Sequence, residues 1–549
     1  MKNKLQNILL SFKLFTNFKY NFLIIVSLTI IQIFFDIFGI FLLGYLVSIV
    51  LGFDITNSFL NNLNLIFGNL KTIEIITLIL SIFIIKFFLN ILIYKKIFSY
   101  IKGEQKNLAN MFAEKILYLT SEKKENIQVF NYFSELLRLS TEYYLVYFLK
   151  FISEVIILIS ILLLLSYLNF KLWIVLVLSI CFFIIFFVYF NKKKIITYGK
   201  KVSINYEIFL GKVKFFIYSI KEIKAFKREK EFKDNTLKYF DEYSDNRFNQ
   251  ILFSFMPRLF SELFFVLLLL VIFFYLSINE IYDDNSLAII TLFTLILIRA
   301  IPLASACVFS LTNIWNFNYA SKIIYKYLKN FKIYTKTKKK LKIINRLDKI
   351  YVKNLSFNFK NKTVHKNLNF EISKNQIFGI FGKSGSGKTT LGLILMGLLK
   401  PNKGYINYRD NFEDYSPSEL DIFSYIPQEI NLMEDTIYKN IKFDFNKSLD
   451  KNKINNLLKT FNLEKELKNR EKENISSKIS GGQKQRILIC RALYNKKKVI
   501  ILDEPSNYLD KKNIEILIKN LNKIKSKVFI ILISHDAKLK KICDNYVQL

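Results

Sequence analysis

The sequence predicts an α-helical membrane domain with six spans, followed by an α/β domain. Apolar residues are concentrated in the first 315 positions of the 549-residue chain, in stretches long enough to cross a hydrocarbon core of about 30 Å. From about residue 343, short apolar segments alternate with helical segments. That alternation is typical of a parallel sheet with helices on its faces.

Six stretches of the chain are long, apolar and nearly uncharged. They cover residues 22–51, 73–94, 143–167, 172–190, 259–278 and 286–311. Hydrophobic residues make up 52% of the chain and the mean hydropathy is +0.25, which is high for a soluble protein. A soluble bundle would show amphipathic periodicity instead, and the first stretch is too long for a cleavable signal peptide. We therefore predict six membrane spans.

The formal net charge of +36 raises the question of a nucleic-acid partner. The lysines are spread singly along the chain without a basic recognition element, so we predict no nucleic-acid binding. Their placement instead follows the rule that cytoplasmic loops of membrane proteins are basic. The segment between the second and third spans is rich in lysine, whereas residues 279–285 carry acidic residues and no basic one. We expect both termini and both long loops in the cytoplasm, with membrane lipid as one partner.

The two long cytoplasmic segments, 95–140 and 191–257, lack clusters of Pro and Gly. We therefore expect them to continue the membrane helices, with turns near 120–126 and 211–225. Residues 57–67 place apolar side chains on one helical face. This pattern fits an amphipathic helix at the outer surface of the membrane and fits an ordinary apolar loop equally well.

A lysine-rich run at 336–342 indicates a solvated linker between two domains. The predicted organisation is a membrane domain at 1–330, a linker at 331–345 and an α/β domain at 346–549. The cysteines show no paired or metal-binding spacing, so we expect free, buried thiols. They are Cys181, Cys307, Cys490 and Cys543.

Residues 382–390, here named the phosphate loop, read Gly-Lys-Ser-Gly-Ser-Gly-Lys-Thr-Thr and follow the apolar run 377–381. This is the pattern G-x-x-x-x-G-K-[ST] of a loop that leaves a strand, binds phosphate and opens a helix. The glycines permit positive φ, so that successive backbone N–H groups converge on phosphate oxygens. The N-terminus of the next helix adds the positive end of its dipole. Lys388 supplies a mobile charge, and the Thr389 hydroxyl can bind Mg²⁺.

Further motifs follow in the second half of the α/β domain. The buried strand 499–503 ends in Asp503 and Glu504. Asp503 is placed to hold the hydration shell of Mg²⁺, and Glu504 to polarise an attacking water, a role worth about 10²–10⁴ in rate. Another apolar strand ends in Ser534-His535, and this His is one of only two in the chain. A lone His is more often structural, but here it could contact a γ-phosphate.

Together these motifs resemble those of the ATP-binding cassette (ABC) transporter family, and the resemblance covers nearly the whole chain. It implies an ABC ATPase domain of the P-loop NTPase class that uses ATP and Mg²⁺. The implied catalytic residues are Lys388, Glu504 and His535. The implied nucleotide-binding residues are Phe359, Gly382, Lys383, Ser384, Gly385, Ser386, Gly387, Lys388, Thr389, Thr390, Gln428, Ser480, Gly481, Gly482, Gln483 and Asp510. The implied metal ligands are Thr389, Gln428 and Asp503.

The resemblance also implies that the chain works as a pair. In this family the signature loop, here Ser480 to Gln483, cannot reach the phosphate loop of its own domain, and ATP is held between two domains. One six-span unit and one nucleotide domain make a half-transporter, so we expect a homodimer, with a heterodimer as the alternative. The chain departs from the family at Ile479, which replaces the usual Leu, and at 469–478, which lack an acidic-glycine motif. Its final strand and tail are also expected to be abbreviated.

Charged residues inside the predicted spans indicate where a substrate could bind, because a charge there costs about 2.5–3.5 kcal/mol on insertion scales and usually faces a cavity or a partner. These residues are Asp36, Lys86, Glu154, Glu262 and Arg299. Together with Pro257-Arg258 and Pro302, they resemble features of the bacterial lipid-linked oligosaccharide flippases. Lys86 and Arg299 could attract the pyrophosphate of a polyprenyl-linked glycan. An internal ion pair with Asp36 or Glu154 explains them equally well.

The favoured hypothesis is an ATP-driven exporter or flippase that moves a lipid-linked saccharide or related lipid across the bacterial inner membrane. The same machinery could instead export a drug, lipid A or a peptide. A third hypothesis is an ATP-gated regulator or channel without net transport. The predicted spans argue against a soluble cassette protein of DNA repair or translation.

Overall fold

A computed structural model describes residues 15, 18–51, 71–118, 131–168, 170–278, 284–329, 342, 344, 346–359, 362–410, 413–445, 448–466, 479–495 and 497–549. The chain divides into two compact units, Met1–Lys336 and Thr337–Leu549. The division falls within the predicted linker.

The described residues of the first unit are almost all helical. Its helices are α1 (Phe18–Leu51), α2 (Thr72–Tyr118), α3 (Val146–Leu168), α4 (Phe170–Tyr218), α5 (Ile220–Ala225), α6 (Glu229–Ile278) and α7 (Asp284–Lys329), and two π-helical segments, Tyr132–Leu136 and Leu139–Leu145, precede α3. Helix α1 packs against α2, α4 against α6, and α7 against α3. Pro257 and Pro302 lie inside α6 and α7.

Several of these helices are much longer than a membrane is thick. Helix α2 has 47 residues, about 70 Å at a rise of 1.5 Å per residue, against a hydrocarbon core of about 30 Å. The prediction that the cytoplasmic segments continue the membrane helices is confirmed for α2 and α4. The second predicted turn lies at Ser219 and at 226–228, on either side of the short α5. The predicted turn at 120–126 and the segment 57–67 lie outside the described residues.

Among the described residues, five helices are long and apolar enough to cross a membrane. They are Tyr20–Val47, Thr72–Leu117, Tyr132–Ser166, Trp173–Tyr218 and Ile296–Lys329. The predicted span 259–278 lies in α6, which is not among these five. All four cysteines are free, and Cys307 and Cys490 are buried as expected, but Cys543 is only partly buried and Cys181 is exposed, so the expectation of burial is wrong for Cys181.

The second unit contains two β-sheets. Strands β1 (Lys349–Phe359), β2 (Lys362–Ser373), β4 (Lys403–Arg409) and β5 (Asp414–Tyr415) form an antiparallel sheet in the order β2-β1-β4-β5. Strands β3 (Ile377–Phe381), β6 (Phe423–Ile426), β7 (Val499–Asp503), β8 (Phe529–Ser534) and β9 (Asn545–Gln548) form a parallel sheet in the order β6-β7-β8-β3-β9. The final strand is therefore present, as a four-residue strand beside β3.

Helices cover the parallel sheet and complete its core. They are α8 (Lys388–Leu395), α9 (Ile437–Lys442), α10 (Lys451–Thr460), α11 (Leu463–Glu466), α12 (Gly481–Tyr494), α13 (Lys511–Ile524) and α14 (Ala537–Lys540). Side chains of the buried strands alternate between two apolar clusters, because successive residues of a strand point to opposite faces. Ile500 and Leu502 pack with the cluster of α12 and α13, whereas Val499 and Ile501 pack with that of α8 and β1. This arrangement brings the ends of β3, β7 and β8 to the same edge of the sheet.

Candidate functional site

The phosphate loop joins the buried strand β3 to helix α8. Gly385 and Gly387 adopt positive φ values of 80° and 94°. A Cβ atom built on Gly387 would lie 2.5 Å from the Val364 side chain, so only glycine fits there. A Cβ on Gly385 would meet no atom within 4 Å. The open side of the loop is therefore at Gly385, where the backbone can approach a bound group closely.

Lys388 lies at the first position of α8 with its ammonium group folded back over the loop. Its Nζ donates hydrogen bonds to the carbonyl oxygens of Gly382, at 3.0 Å, and Lys383, at 3.2 Å. The same atom lies 3.8 Å from Oε1 of Glu504. The side chain is buried, so its charge acts in a poorly solvated environment where electrostatic interactions are strong.

Asp503 is the last residue of β7 and is fully buried. The Tyr425 hydroxyl donates a hydrogen bond to its Oδ2 at 3.2 Å, whereas its Oδ1 is buried and has no hydrogen-bond partner among the described residues. Burial raises the pKa of Asp503, against the opposing effect of the hydroxyls of Thr389 and Tyr425. A buried carboxylate oxygen without a partner is costly. The Asp503 carboxylate is therefore a suitable ligand for the Mg²⁺ that the motif predicts.

Glu504 lies one residue beyond β7 with a positive φ of 49°. Its backbone N–H donates to the Ile533 carbonyl at 2.8 Å, which ties the turn to strand β8. Its carboxylate is 5% exposed and Oε2 lies 2.8 Å from Nδ1 of His535. A left-handed Glu is strained, and such strain is commonly found at functional sites. The turn aims this carboxylate at the phosphate loop.

These residues surround one pocket of about 810 Å³. It is lined by Phe359, Lys362, Thr363, Val364, Lys383, Ser384, Gly385, Ser386, Gly387, Lys388, Thr389, Thr390, Gln428, Glu504 and His535. Phe359, at the end of β1, is 46% exposed, so its ring is accessible to a ligand. Gly382 and Asp503 are not among the lining residues, but Gly382 accepts a hydrogen bond from the lining residue Lys388 and Asp503 interacts with the lining residue Thr389.

The signature loop lies apart from this pocket. Ser480 caps α12, and its hydroxyl accepts from the backbone of Gln483, whose side chain accepts from the backbone of Ser480. Neither these residues nor Gly481 and Gly482 line the pocket. Asp510 is the N-cap of α13, where its carboxylate accepts from the backbone N–H of Asn513 at 2.8 Å. Of the predicted nucleotide-binding residues, the structure thus leaves Ser480 to Gln483 and Asp510 outside the pocket of their own domain.

Two residues that support this site have no counterpart in the sequence predictions, and neither have three that line the pocket, Lys362, Thr363 and Val364. Tyr425 binds Asp503, and His365 on β2 lies with Nε2 3.2 Å from the Gly387 carbonyl oxygen. Burial lowers the pKa of His365. His365 could have been noticed because it is one of only two histidines in the chain. Nothing in the sequence singles out Tyr425, since its partner is 78 positions away.

The charged residues of the helical unit form a second cluster. Asp36 of α1 pairs with Lys86 of α2, and Nη2 of Arg299 on α7 lies 3.0 Å from Oδ1 of Asp36. They line a cavity of about 180 Å³ whose other lining residues are apolar. Glu154 does not take part and instead accepts a hydrogen bond from Ser310 at 2.7 Å. The ion pair that the sequence allowed is therefore formed, with Asp36, and two cations share one carboxylate.

Comparison with known proteins places these observations in a family. Residues 365–507 match the family model described as ABC transporter. The chain is 33% identical over 205 residues to the zinc import ATP-binding protein ZnuC of Buchnera aphidicola subsp. Baizongia pistaciae, a match that covers 36% of this chain and 80% of that protein. It is 38% identical over 195 residues to the lipoprotein-releasing system ATP-binding protein LolD of Buchnera aphidicola subsp. Acyrthosiphon pisum, covering 33% of this chain and 83% of that protein.

Similarity extends to proteins that combine both kinds of domain. The chain is 36% identical over 199 residues to a candidate export ATP-binding/permease protein of Rickettsia typhi, and the match spans only 34% of this chain and 34% of that relative. A solved structure of a bacterial Atm1-family ABC exporter with ATP bound superposes with a TM-score of 0.75 at 14% identity, covering 97% of this chain and 94% of that chain. The fold of an ABC exporter therefore extends over nearly the whole chain.

Proposed function

Because the chain belongs to the ABC transporter family, we propose that it is an ATP-driven exporter or flippase. It moves a lipid-linked saccharide or a related amphipathic lipid across the bacterial inner membrane, with its ATPase domain in the cytoplasm. The observation that supports this best is the convergence of Lys388, Glu504 and His535 on one pocket beside the phosphate loop. The apolar helices and the exporter fold support the membrane part.

ATP hydrolysis uses the chain's own residues in distinct roles. The backbone N–H groups of the phosphate loop and the Lys388 ammonium hold the triphosphate, and Phe359 stacks on the adenine. Glu504 accepts the proton of a water whose oxygen bonds to the γ-phosphorus while the bond from that phosphorus to the leaving ADP breaks. His535 holds the Glu504 carboxylate in place through its Nδ1 contact. Mg²⁺, held by Thr389, Gln428 and Asp503, would neutralise charge on the phosphate oxygens.

Two copies of the chain complete each site. Ser480 to Gln483 lie outside the pocket of their own domain, at the N-terminus of the 14-residue helix α12, which attracts anionic groups. In a head-to-tail homodimer this helix end of one copy faces the triphosphate held by the other. Closure around ATP and reopening after hydrolysis would drive the helical units between two states, because ATP binds the closed state more tightly.

The cluster of Asp36, Lys86 and Arg299 supports an anionic substrate group. Two cations against one carboxylate leave a formal charge of +1 in an otherwise apolar cavity, and an uncompensated charge there favours an anion. The Nε of Arg299 is buried and finds no hydrogen-bond partner in the part of the chain that the structure describes. A pyrophosphate attached to a polyprenyl chain would satisfy both the charge and the apolar lining.

Transport can be tested in proteoliposomes that contain the full-length protein. We expect a polyprenyl-pyrophosphate-linked glycan to stimulate ATP hydrolysis and to move between leaflets only when ATP is present, with Lys388→Ala as the inactive control. Arg299→Gln should weaken the stimulation while leaving the unstimulated rate unchanged, because it lies far along the chain from the ATPase domain. Stimulation by lipid A or peptide but not by the glycan would favour the other exporter hypotheses. ATP hydrolysis without movement of any of these compounds would favour a regulator or channel.

A further inference from the structure

His365 occupies a position of β2 directly behind the phosphate loop. Its side chain is 3% exposed, and its Nε2 lies 3.2 Å from the carbonyl oxygen of Gly387. A carbonyl oxygen can only accept a hydrogen bond, so the contact requires a proton on Nε2. The imidazole therefore donates to the last glycine of the loop, at the point where helix α8 begins.

The Gly387 carbonyl oxygen accepts a second hydrogen bond in addition to that from His365. It already accepts the first hydrogen bond of the helix, from Leu391 N–H at 2.9 Å, and its residue is held in the left-handed conformation. A Cβ on Gly387 would lie 2.8 Å from Cε1 of His365. The Gly387 backbone and the His365 imidazole are thus in direct contact, so a small movement of β2 would displace the phosphate loop.

The same strand carries the other end of the nucleotide pocket. Strands β1 and β2 form a hairpin whose terminal pair is Phe359 and Lys362, and His365 pairs with Phe357 in the same ladder. The phosphate loop, in contrast, follows β3 of the parallel sheet. The hydrogen bond from His365 therefore joins two different sheets, one bearing the aromatic for the base and the other bearing the phosphate-binding amides.

We propose that His365 is a positioning residue that holds the β1–β2 hairpin in register with the phosphate loop, and so sets the distance between the Phe359 ring and the bound phosphates. This inference rests on the proposed ATP site. It predicts that the hydrogen bond strengthens ATP binding only when the Phe359 ring contacts the base while the phosphate loop binds the phosphates. A ligand that touches the phosphate loop alone, such as inorganic triphosphate, should not depend on it.

The experiment compares three variants of the full-length protein in detergent or proteoliposomes. For His365→Leu, which cannot donate, we expect KM for ATP to rise about 3- to 10-fold, the effect of one lost hydrogen bond, while kcat stays within about twofold. The affinity for inorganic triphosphate, measured as inhibition of ATP hydrolysis, should be unchanged. His365→Gln, whose amide can donate, should restore KM. Lys366→Gln, on the exposed face of the same strand, is the matched control.

The possible outcomes separate the inference from the proposed function. An equal loss of affinity for ATP and for triphosphate, or an equal KM for the parent and His365→Leu, would overturn the inference. A His365→Gln variant as impaired as His365→Leu would also overturn it, because packing rather than the hydrogen bond would then matter. If His365→Leu does not fold, His365→Met replaces it as the apolar variant. A parent protein that neither binds nor hydrolyses ATP would instead contradict the proposed function.

Discussion

Asp503 and Glu504 are adjacent carboxylates that the structure separates by environment. Asp503 ends the buried strand β7, and one of its oxygens has no hydrogen-bond partner within the described ranges, as suits a metal ligand. Glu504 turns out of the strand through a left-handed backbone and contacts Lys388 and His535. The two side chains can therefore have different roles, with Asp503 binding a metal ion and Glu504 accepting a proton.

Replacing Glu504 with glutamine tests this division. Glu504→Gln keeps the size of the side chain but cannot accept the proton of the attacking water, so we expect kcat to fall about 10²–10⁴-fold while ATP is still bound. Rapid-quench measurement of ATP hydrolysis and binding of a fluorescent ATP analogue check both parts. The matched control is Glu515→Gln on the exposed face of α13. Hydrolysis by Glu504→Gln at the parent rate would mean that another residue orients the water.

The residues of the phosphate loop and the carboxylates at the end of β7 could be predicted because their chemistry requires particular residue types at fixed spacing. Tyr425 and His365 could not be predicted, because each contacts a partner that is distant in the sequence and becomes close only in the folded domain. The charged residues of the predicted spans could be predicted in part. Lys86 and Arg299 were identified as candidates, but only the packing of α1, α2 and α7 shows that both contact Asp36.

At the scale of elements, helix N-termini hold the functional loops in place. Ser480 caps α12 within a capping box, and Asp510 caps α13. Arg486 of α12 also pairs with Glu466 at the end of α11, at 2.7 Å. Arg486 lowers the pKa of Glu466, so this pair stabilises the fold above the pKa of an unfolded Glu and loses its contribution as the pH falls through the lowered value.

Substitution of Asp510 separates its capping role from a role of its charge. Asp510→Ala removes the cap and should lower stability by about 0.5–2 kcal/mol, whereas Asp510→Asn keeps an acceptor and should be nearly neutral. Thermal unfolding of the full-length protein in detergent, with and without ATP, measures this. Asp450→Ala removes the equivalent cap of α10 and should cost similar stability without changing ATP hydrolysis. If Asp510→Asn kept its stability but lost ATPase activity, the negative charge itself would be required.

Element boundaries were predictable where chemistry or apolar content marks them. The apolar run 377–381 has the same first and last residues as strand β3, because a polar residue precedes it and a glycine follows it. The ends of the long helices were less predictable, since the lysines that follow the apolar stretches are compatible with a continuing helix as well as with a loop. The reversal at Ser219 thus lies within the predicted interval, while a further break at 226–228 lies just beyond it.

At the scale of the whole molecule, the central proposal is that two copies share each ATP. Lys388 lies in the pocket and Ser480 lies outside it, so under this proposal each site takes Lys388 from one copy and Ser480 from the other. The order of the sequence motifs predicted the phosphate loop and the signature loop. The resemblance to the ABC transporter family predicted that the two loops pair between copies. The fold of a single chain supports that pairing, because the helix end at Ser480 lies outside the pocket of its own domain.

Complementation between two inactive variants tests the claim most directly. Lys388→Ala disables the phosphate loop, and Ser480→Glu places a negative charge where the signature loop would meet the triphosphate. Dimers that contain one copy of each variant are isolated with two different affinity tags. Dimers of the parent with the double variant Lys388→Ala/Ser480→Glu are isolated in the same way, and ATP hydrolysis is measured for both.

If each ATP lies between copies, the dimer of two single variants has one intact site and recovers up to about half of the parent rate, as a two-fold assembly with one working site should. The dimer of the parent with the double variant then has no intact site and is inactive. The reverse pattern, in which only the second dimer hydrolyses ATP, would contradict the account, because it would mean that each chain forms its site alone.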